Sequence, residues 1–555
     1  MRFSVLELLL LACLVLTDLV RFGRPVGAQA TCANRIRKPW GAMTATEQSL
    51  YVEALGVGMQ QGYHILFAEL ASEKASSSEF LRTCGFLYWN RRFVLAYENM
   101  LRSLDPKYAC LTIPYWDYFA DYARFLEGLC DNGGTSLEAC SSILRGLGGS
   151  QGAARAVNIN GRTISGNCVT NAPANSFCES STITDPNQCS HCIPRSNWAS
   201  TTFPSGFGYA GLGVTLSGAS GFRDVSIKIQ NGTHNAIHNA LSSVLATYVS
   251  PADPIFFSIH ATVDLLHQIY LECQLGDNVV PTSTSVSRWA FQSCTLYPDA
   301  VSPTATSSVL QQWMVDTTYP SSTTAIRAED HPKLGQFFKP LPSKYWEFVN
   351  INQLGQFSYQ YQRDDLIRNM QSNGFVCPKR TTPIQADFVF GAVETTTTLD
   401  AATTSTEDTA TPSAVRKLAE SGSTEADTLA PEQERAYIQQ QAIDLLETTL
   451  NATLAVDGTP ATAFSQAELI ECQYYNDNIA PVEDYSPVFR RNYGLSRNDH
   501  TRCWQLIHLM QTGKAEILIE NWRDIMSEHF ANNNSGSSSS SSSTSSSSSS
   551  SSESP

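Results

Sequence analysis

The sequence predicts a mainly α-helical protein, in which a metal-binding helical bundle carries a disulfide-rich insertion and is followed by a smaller helical C-terminal region. Three observations predict it. His234 and His238 stand four residues apart, so on a helix both imidazoles leave one face, and His260 follows the Ser250-Pro251-Ala252-Asp253-Pro254 turn at the head of an apolar, helix-like run. Six cysteines crowd a Gly-, Ser- and Asn-rich stretch at about 128–221. Past a Thr-, Ser- and Ala-rich linker, apolar residues return at helical spacing. Two histidines on one helix and a third on a facing helix are how a bundle builds a three-imidazole site. Imidazole suits copper, zinc, iron or nickel, so the spacing alone does not choose the metal.

Residues 1–30 read as a secretory signal, with Arg2 as the positive start, Leu8–Leu19 as the apolar run and Ala28-Gln29-Ala30 as a small-residue cleavage site. A membrane anchor is the competing reading, but Glu7 and Asp18 interrupt the run and no later segment is long and apolar enough to span. Of fifteen cysteines, Cys13 falls in this segment, and the remaining fourteen suit disulfides in an oxidising compartment. Asn231, Asn451 and Asn533 head Asn-x-Ser/Thr acceptor sequons on the same route. A net charge of -15 argues against nucleic-acid and acidic-membrane partners.

The order expected is a signal (1–30), a first domain (31–378), a linker (379–431), a helical C-terminal region (432–530) and a nearly pure serine tail (531–555). Linker and tail lack the apolar residues to bury a core. The spacing predicts one helix from Thr46 to about Ser72. The insertion reads as a stapled loop excursion, and Cys189-Ser190-His191-Cys192 within it as disulfide cysteines rather than a zinc or redox motif. In the C-terminal region, helices are expected over Glu432–Leu454 and over Asp499–Met526 with a break at Gly513. Cys472 and Cys503, the only cysteines there, are expected to pair. His500, His508 and His529 make no ligand cluster by spacing.

His234-Asn235-x-x-His238, then Asp253-Pro254-x-Phe256-x-x-Ile259-His260-Ala261-x-x-Asp264, resembles the second copper half-site of the tyrosinase family, the type 3 copper proteins. The resemblance implies a four-helix-bundle type 3 copper core. It implies His234, His238 and His260 as copper ligands and Asn235 as a residue that helps orient a water; a helix-surface amide is the equal alternative for Asn235. Ile259 replaces the first histidine of a pair whose second member is the ligand. His267 reads as a core residue or one beside the ligands. Phe86, Leu87, Trp89, Arg91, Glu98, Leu101 and Arg102, with Pro114-Tyr115-Trp116-Asp117, resemble the first half-site. Where the family places that site's three histidines, this chain has Asn90, Leu81 and, at the end of the preceding helix, Ala71 or Leu70. His64 lies two turns, roughly 10 Å of helix, too early to substitute. Tyr359-Gln360-Tyr361 resembles the family's Y-x-Y signature, which packs against the chain's start near Arg35 or Arg37.

The family oxidises phenols and catechols to quinones with O2 at two coppers. The second site is intact here and the first lacks its histidines, so the resemblance implies a catalytically impaired pseudo-tyrosinase holding at most one copper. Two readings compete with it: an active polyphenol oxidase with a rebuilt first site, and a glycosylated cell-wall or surface component. The partners these readings admit are phenolic small molecules or wall material; the sequence sets no oligomeric state. Cys84-Gly85-Phe86-Leu87-Tyr88-Trp89 and the serine tail have the flavour of oomycete tyrosinase-like proteins.

Overall fold

The computed structural model describes residues 32, 34–81, 83–276, 289–290, 313–315, 325–363, 367, 431–457 and 460–534. The expected signal, the linker up to residue 430 and the serine tail from 535 lie outside the described residues.

Helix α1 (Ala45–Gln60) opens on a reciprocal cap: Thr44 Oγ1 accepts from the Glu47 amide (3.2 Å), and the Glu47 carboxylate accepts from the Thr44 amide (2.8 Å). The single helix expected over 46–72 is broken. Gly62 takes φ +72°, a conformation open to glycine and strained for other residues, and the chain restarts as α2 (His64–Ser72). Next come α3 (Lys74–Phe80), α4 (Phe86–Ser103) and α5 (Tyr118–Leu126). After the insertion follow α6 (Tyr209–Leu216), α7 (Phe222–Ile229), α8 (Asn235–Leu241) and α9 (Ile255–Leu275). The bundle interior is aromatic. Tyr97 of α4 stacks on Phe257 of α9 with centroids 3.4 Å apart, and Phe67 of α2 meets Phe93 of α4 edge-on at 5.4 Å. No helix among the described residues is long and apolar enough to cross a membrane.

The insertion holds more regular structure than the loop expected from its composition. Ala153–Ile159, Arg162–Val169 and Ile193–Arg195 form a three-stranded antiparallel sheet. Its hairpin turns at Asn160 (φ +45°) and Gly161 (φ +78°), the Asn-Gly geometry that matches the strands' own twist. The six cysteines pair among themselves as 130–140, 168–192 and 178–189. Cys189 and Cys192 thus bond to different partners.

The C-terminal region folds as α10 (Pro431–Val456), α11 (Pro460–Asn478), α12 (Pro487–Tyr493), α13 (Arg502–Gln511) and α14 (Trp522–Asn534). The helix expected over 499–526 divides where Gly513, at φ +66°, ends α13, while α11 and α12 have no counterpart in the sequence reading. Cys472 and Cys503 pair as expected. Helices α10 and α11 share the core of the bundle, while α12, α13 and α14 bury their apolar residues in smaller clusters. A Cβ on Gly213 of α6 would lie 2.5 Å from the Phe464 ring of α11, so only glycine allows this approach. Tyr475 donates to the Phe203 carbonyl (2.8 Å), and Arg124 pairs with Glu434 (2.8 Å).

A buried ionic cluster ties the first half of the chain to α9. Ile36–Arg37 pairs in parallel with Gln360–Tyr361, which delivers Arg37 and both tyrosines to Asp264. Asp264 accepts from Arg91, from Arg37 (3.1 Å) and from the hydroxyls of Tyr359 and Tyr361 (2.6 Å each). Arg37 also reaches Glu98 (2.9 Å) and lies over the Tyr359 ring (4.0 Å). The Y-x-Y signature therefore packs against Arg37, as the resemblance implied. Removing a buried charge strands its partners, so Asp264→Asn is expected to lose about 3–5 kcal/mol of unfolding free energy in denaturant titrations. A loss under about 1 kcal/mol would show that the cluster is already solvated.

Candidate metal centre

Each of the three histidines reaches the centre for a local reason. The chain leaves α7 through a wide π-type turn at Gln230–His234, which rotates His234 inward just before α8. His238 follows one turn later. Ser242 (φ +52°) and Ser243 (φ +47°) then reverse the chain and bring the Leu245 carbonyl back onto His238. His260 enters from α9, whose start is fixed by Asp253: its Oδ1 accepts from the Ile255 amide (3.1 Å), and its two oxygens take Arg195 (2.7 and 2.8 Å).

All three imidazoles are buried, and each offers a ligand atom within 4.8 Å of the others. Metal–nitrogen bonds of about 2.0–2.1 Å in tetrahedral or trigonal geometry would set such atoms about 3.3–3.6 Å apart, so a closure of about 1–1.5 Å brings the rings onto one ion. Backbone and amide groups set the ring tautomers of His234 and His238. His238 donates from Nδ1 to the Leu245 carbonyl (2.7 Å), and its Nε2 has no partner. His234 Nδ1 lies 2.9 Å from Asn235 Oδ1 and 3.3 Å from the Gln230 carbonyl, which turns Nε2 away from both. His260 stacks on Phe256 with centroids 3.9 Å apart, and neither of its nitrogens has a partner. Burial lowers the pKa of all three, that of His238 to about 4, so they are neutral and can ligate at neutral pH. Buried nitrogens that converge, with the tautomers of His234 and His238 held from outside, fit a copper ion.

The remaining candidates are placed differently. Asn235 is buried rather than on the helix surface and takes part in holding His234. Asn90, also buried, donates from Nδ2 to the Phe86 carbonyl (2.8 Å), and its Oδ1 has no partner. Leu70 and Ala71 are buried at the end of α2. Leu81 packs beside Ala246, Phe489 and Tyr493. His64 donates from Nε2 to the Ala252 carbonyl (2.9 Å) and accepts at Nδ1 from Tyr97 (2.7 Å), so neither nitrogen is available. His267 lies in the core against Tyr88 and Phe222. Among the described residues, His234, His238 and His260 are the one such group of three. His500 is held by Asp484 (2.6 Å) and His529 by Glu127 (3.0 Å), and neither joins a cluster.

Sequence reasoning missed the C-terminal contribution. Residues 484–495 lie against the turn that carries His234 and His238, with Tyr485 donating to the Asn231 carbonyl (2.6 Å) and Tyr493 to that of Leu245 (3.1 Å). No local motif marks these tyrosines. Asn231, expected as a glycan acceptor, is half-buried beneath this segment, whereas Asn451 is exposed.

Residues 60–272 match the common central domain of tyrosinase. Over 245 residues the chain is 26% identical to a tyrosinase of Streptomyces antibioticus, an overlap covering 42% of this chain and 81% of that one. A tyrosinase-like protein of Diaporthe leptostromiformis is 24% identical over 297 residues, covering 47% of this chain and 71% of the relative. A variant polyphenol oxidase of Thermothelomyces thermophila, solved as a structure, aligns with a TM-score of 0.34 at 18% identity, over 60% of this chain and 89% of that one. Residues 60–272 thus form a tyrosinase-family domain, and that family implies copper binding. These relatives lend nothing to the narrower oomycete likeness.

His64 makes the centre's surroundings sensitive to acid. Burial lowers its pKa to about 4, whereas an unfolded histidine titrates near about 6.5. Between those values the unfolded chain binds the extra proton, so stability is full above about pH 6.5 and falls as the pH drops towards 4. The denaturation midpoint of metal-free protein should decline through that window, with a shallower slope in His64→Phe. An unchanged slope in the variant would mean that His64 is protonated in the folded protein.

Proposed function

We propose that this is a secreted tyrosinase-family protein that holds one copper at His234, His238 and His260, with oxidation of phenols and catechols to quinones lost or severely reduced. One contrast carries the reading. Three neutral imidazoles converge at the second site, with unpartnered nitrogens on His238 and His260, while the positions that match the first site's ligands carry Leu81, Asn90 and Ala71 or Leu70. Aliphatic side chains cannot ligate, and an amide oxygen is a poor copper ligand. The nearby His64 has both nitrogens in use.

Copper bound at the three imidazoles would supply a redox-active Lewis acid. The chain's own residues prepare its place: Leu245 and Asn235 hold the Nδ1 side of His238 and His234, and Phe256 and Phe86 pack against the rings from the core side. A catechol gives up two electrons and two protons on becoming a quinone, twice what one copper accepts. Phenolic small molecules are the ligand class the reading retains. Secretion is supported by the cysteines: all twelve among the described residues are disulfide-bonded, as in oxidising compartments.

Metal analysis of the purified full chain tests the count. One copper per chain is expected, falling to none in His238→Ala; two per chain would overturn the reading. A second copper should appear when Leu81→His and Asn90→His are combined with Ala71→His or Leu70→His. If the count stays at one in every combination, those positions are not where the missing ligands belong.

A further inference from the structure

The metal-binding face of His238 is fixed through a single carbonyl, that of Leu245, which accepts from its Nδ1 at 2.7 Å. Leu245 belongs to the loop that follows the Ser242–Ser243 reversal, two consecutive residues at positive φ. Such a loop needs outside support to hold a ring to a fraction of an ångström. The support comes from the other end of the chain. Tyr493, buried and 255 residues from His238 in sequence, donates to the same Leu245 carbonyl (3.1 Å) and sets its hydroxyl oxygen 3.3 Å from His238 Nδ1.

The surrounding segment is anchored on both sides of the two histidines. Tyr485 donates to the Asn231 carbonyl ahead of His234 (2.6 Å), and the Ser486 amide donates to Asn239 Oδ1 just after His238 (2.9 Å). Asn492 donates to the Ala246 carbonyl beside Leu245 (2.8 Å). Phe489 stacks between Tyr485 and Tyr493, at centroid distances of 5.3 and 4.2 Å. Asp484 in turn gathers Arg490 and His500 (2.6 Å each), and the Cys472–Cys503 disulfide closes the loop that contains the whole segment.

We propose that Tyr493 is a positioning residue for the metal ligand His238, and that the C-terminal segment 484–495 is a structural part of the metal centre. Its hydroxyl holds the Leu245 carbonyl, which holds the imidazole with Nε2 presented to the metal. This rests on the reading of the three histidines as a metal site. Groups that orient a ligating imidazole in this way typically govern affinity by about 10–100-fold.

The test is copper(II) binding to the full chain, measured by chelator competition, alongside the copper(II) electron paramagnetic resonance spectrum and the melting temperature of the metal-free protein. Tyr493→Phe keeps the stacked ring and removes the hydroxyl. Copper affinity is expected to fall roughly tenfold, with altered hyperfine coupling and a nearly unchanged metal-free melting temperature. Asn492→Ala, which frees the neighbouring carbonyl and leaves Tyr493 intact, is expected to weaken copper about threefold and stands in if the first variant fails to fold. If the wild type binds copper in a His238-dependent way while both variants match it in affinity and spectrum, the positioning role is overturned and the metal site stands. If copper binding by the wild type does not depend on His238, the site reading falls first. A lower melting temperature with unchanged affinity and spectrum assigns the segment to packing alone and also overturns the proposal.

Discussion

The structure depends on a buried carboxylate, Asp264, shared between two arginines. Asp264 lies one helical turn beyond His260 on the same face of α9, and Arg91 is the next residue after Asn90 on α4. Their contact therefore sets the register between the helix that supplies the third imidazole and the helix where the first half-site would stand. With Glu98 facing Arg37 and Arg35, two carboxylates meet three guanidinium groups. Asp264 and Glu98 are held below the usual carboxylate range by those cations against the opposing pull of burial, so both stay charged. Buried pairs of this kind are weak evidence for net stability, because desolvation offsets much of the attraction. Here the cluster specifies one alignment of α4 against α9.

That alignment does not draw on metal. Arg91 and Glu98 tie α4 to α9, to the strand at Ile36–Arg37 and to the amide of Ile113 whatever occupies the positions of the first half-site. The insertion adds a second, independent clamp: Arg195, at the end of its third strand, grips Asp253 and the carbonyls of Leu147 and Gly149 (2.8 and 2.7 Å). Helix α9 is thus fixed at its start by Asp253 and in its middle by Asp264. A first half-site can lose its imidazoles without disturbing the placement of His260.

How much of this was legible in the sequence follows from the range of each interaction. His234, His238 and His260 could be found because helical spacing and a local turn declare them. The Cys472–Cys503 pair could be found because no other cysteine competes in that region. Pairing within the insertion could not, since six cysteines allow fifteen connectivities. The breaks at Gly62 and the hairpin at Asn160-Gly161 carried recognisable signals, a glycine inside a helical pattern and the favoured two-residue turn. They were outweighed by the periodicity before them and the loop-like composition around them. Tyr493 had no signal of any kind. Its role arises from a hydrogen bond between residues 248 apart in sequence, and nothing in its flanking residues encodes the carbonyl it meets.

The residues at the positions of the two half-sites differ in chemistry. A buried imidazole nitrogen without a partner costs about 1–3 kcal/mol. A buried position that holds no metal therefore suits leucine or alanine better than histidine, and Leu81, Asn90 and Ala71 or Leu70 stand where the first half-site's ligands are expected. The second pocket keeps His238 Nε2 and both nitrogens of His260 unsatisfied. Orphaned nitrogens alone do not argue for a ligand, since those of His267 are also unpartnered in the core. What sets the trio apart is convergence: its three rings offer nitrogens within 4.8 Å of one another, and the neighbouring imidazoles depress His260 beyond what burial does. A pocket that is unfavourable when empty and is still supported by Asn235, Leu245 and Tyr493 argues for an occupant that binds N-donors, and copper is the one the family supplies.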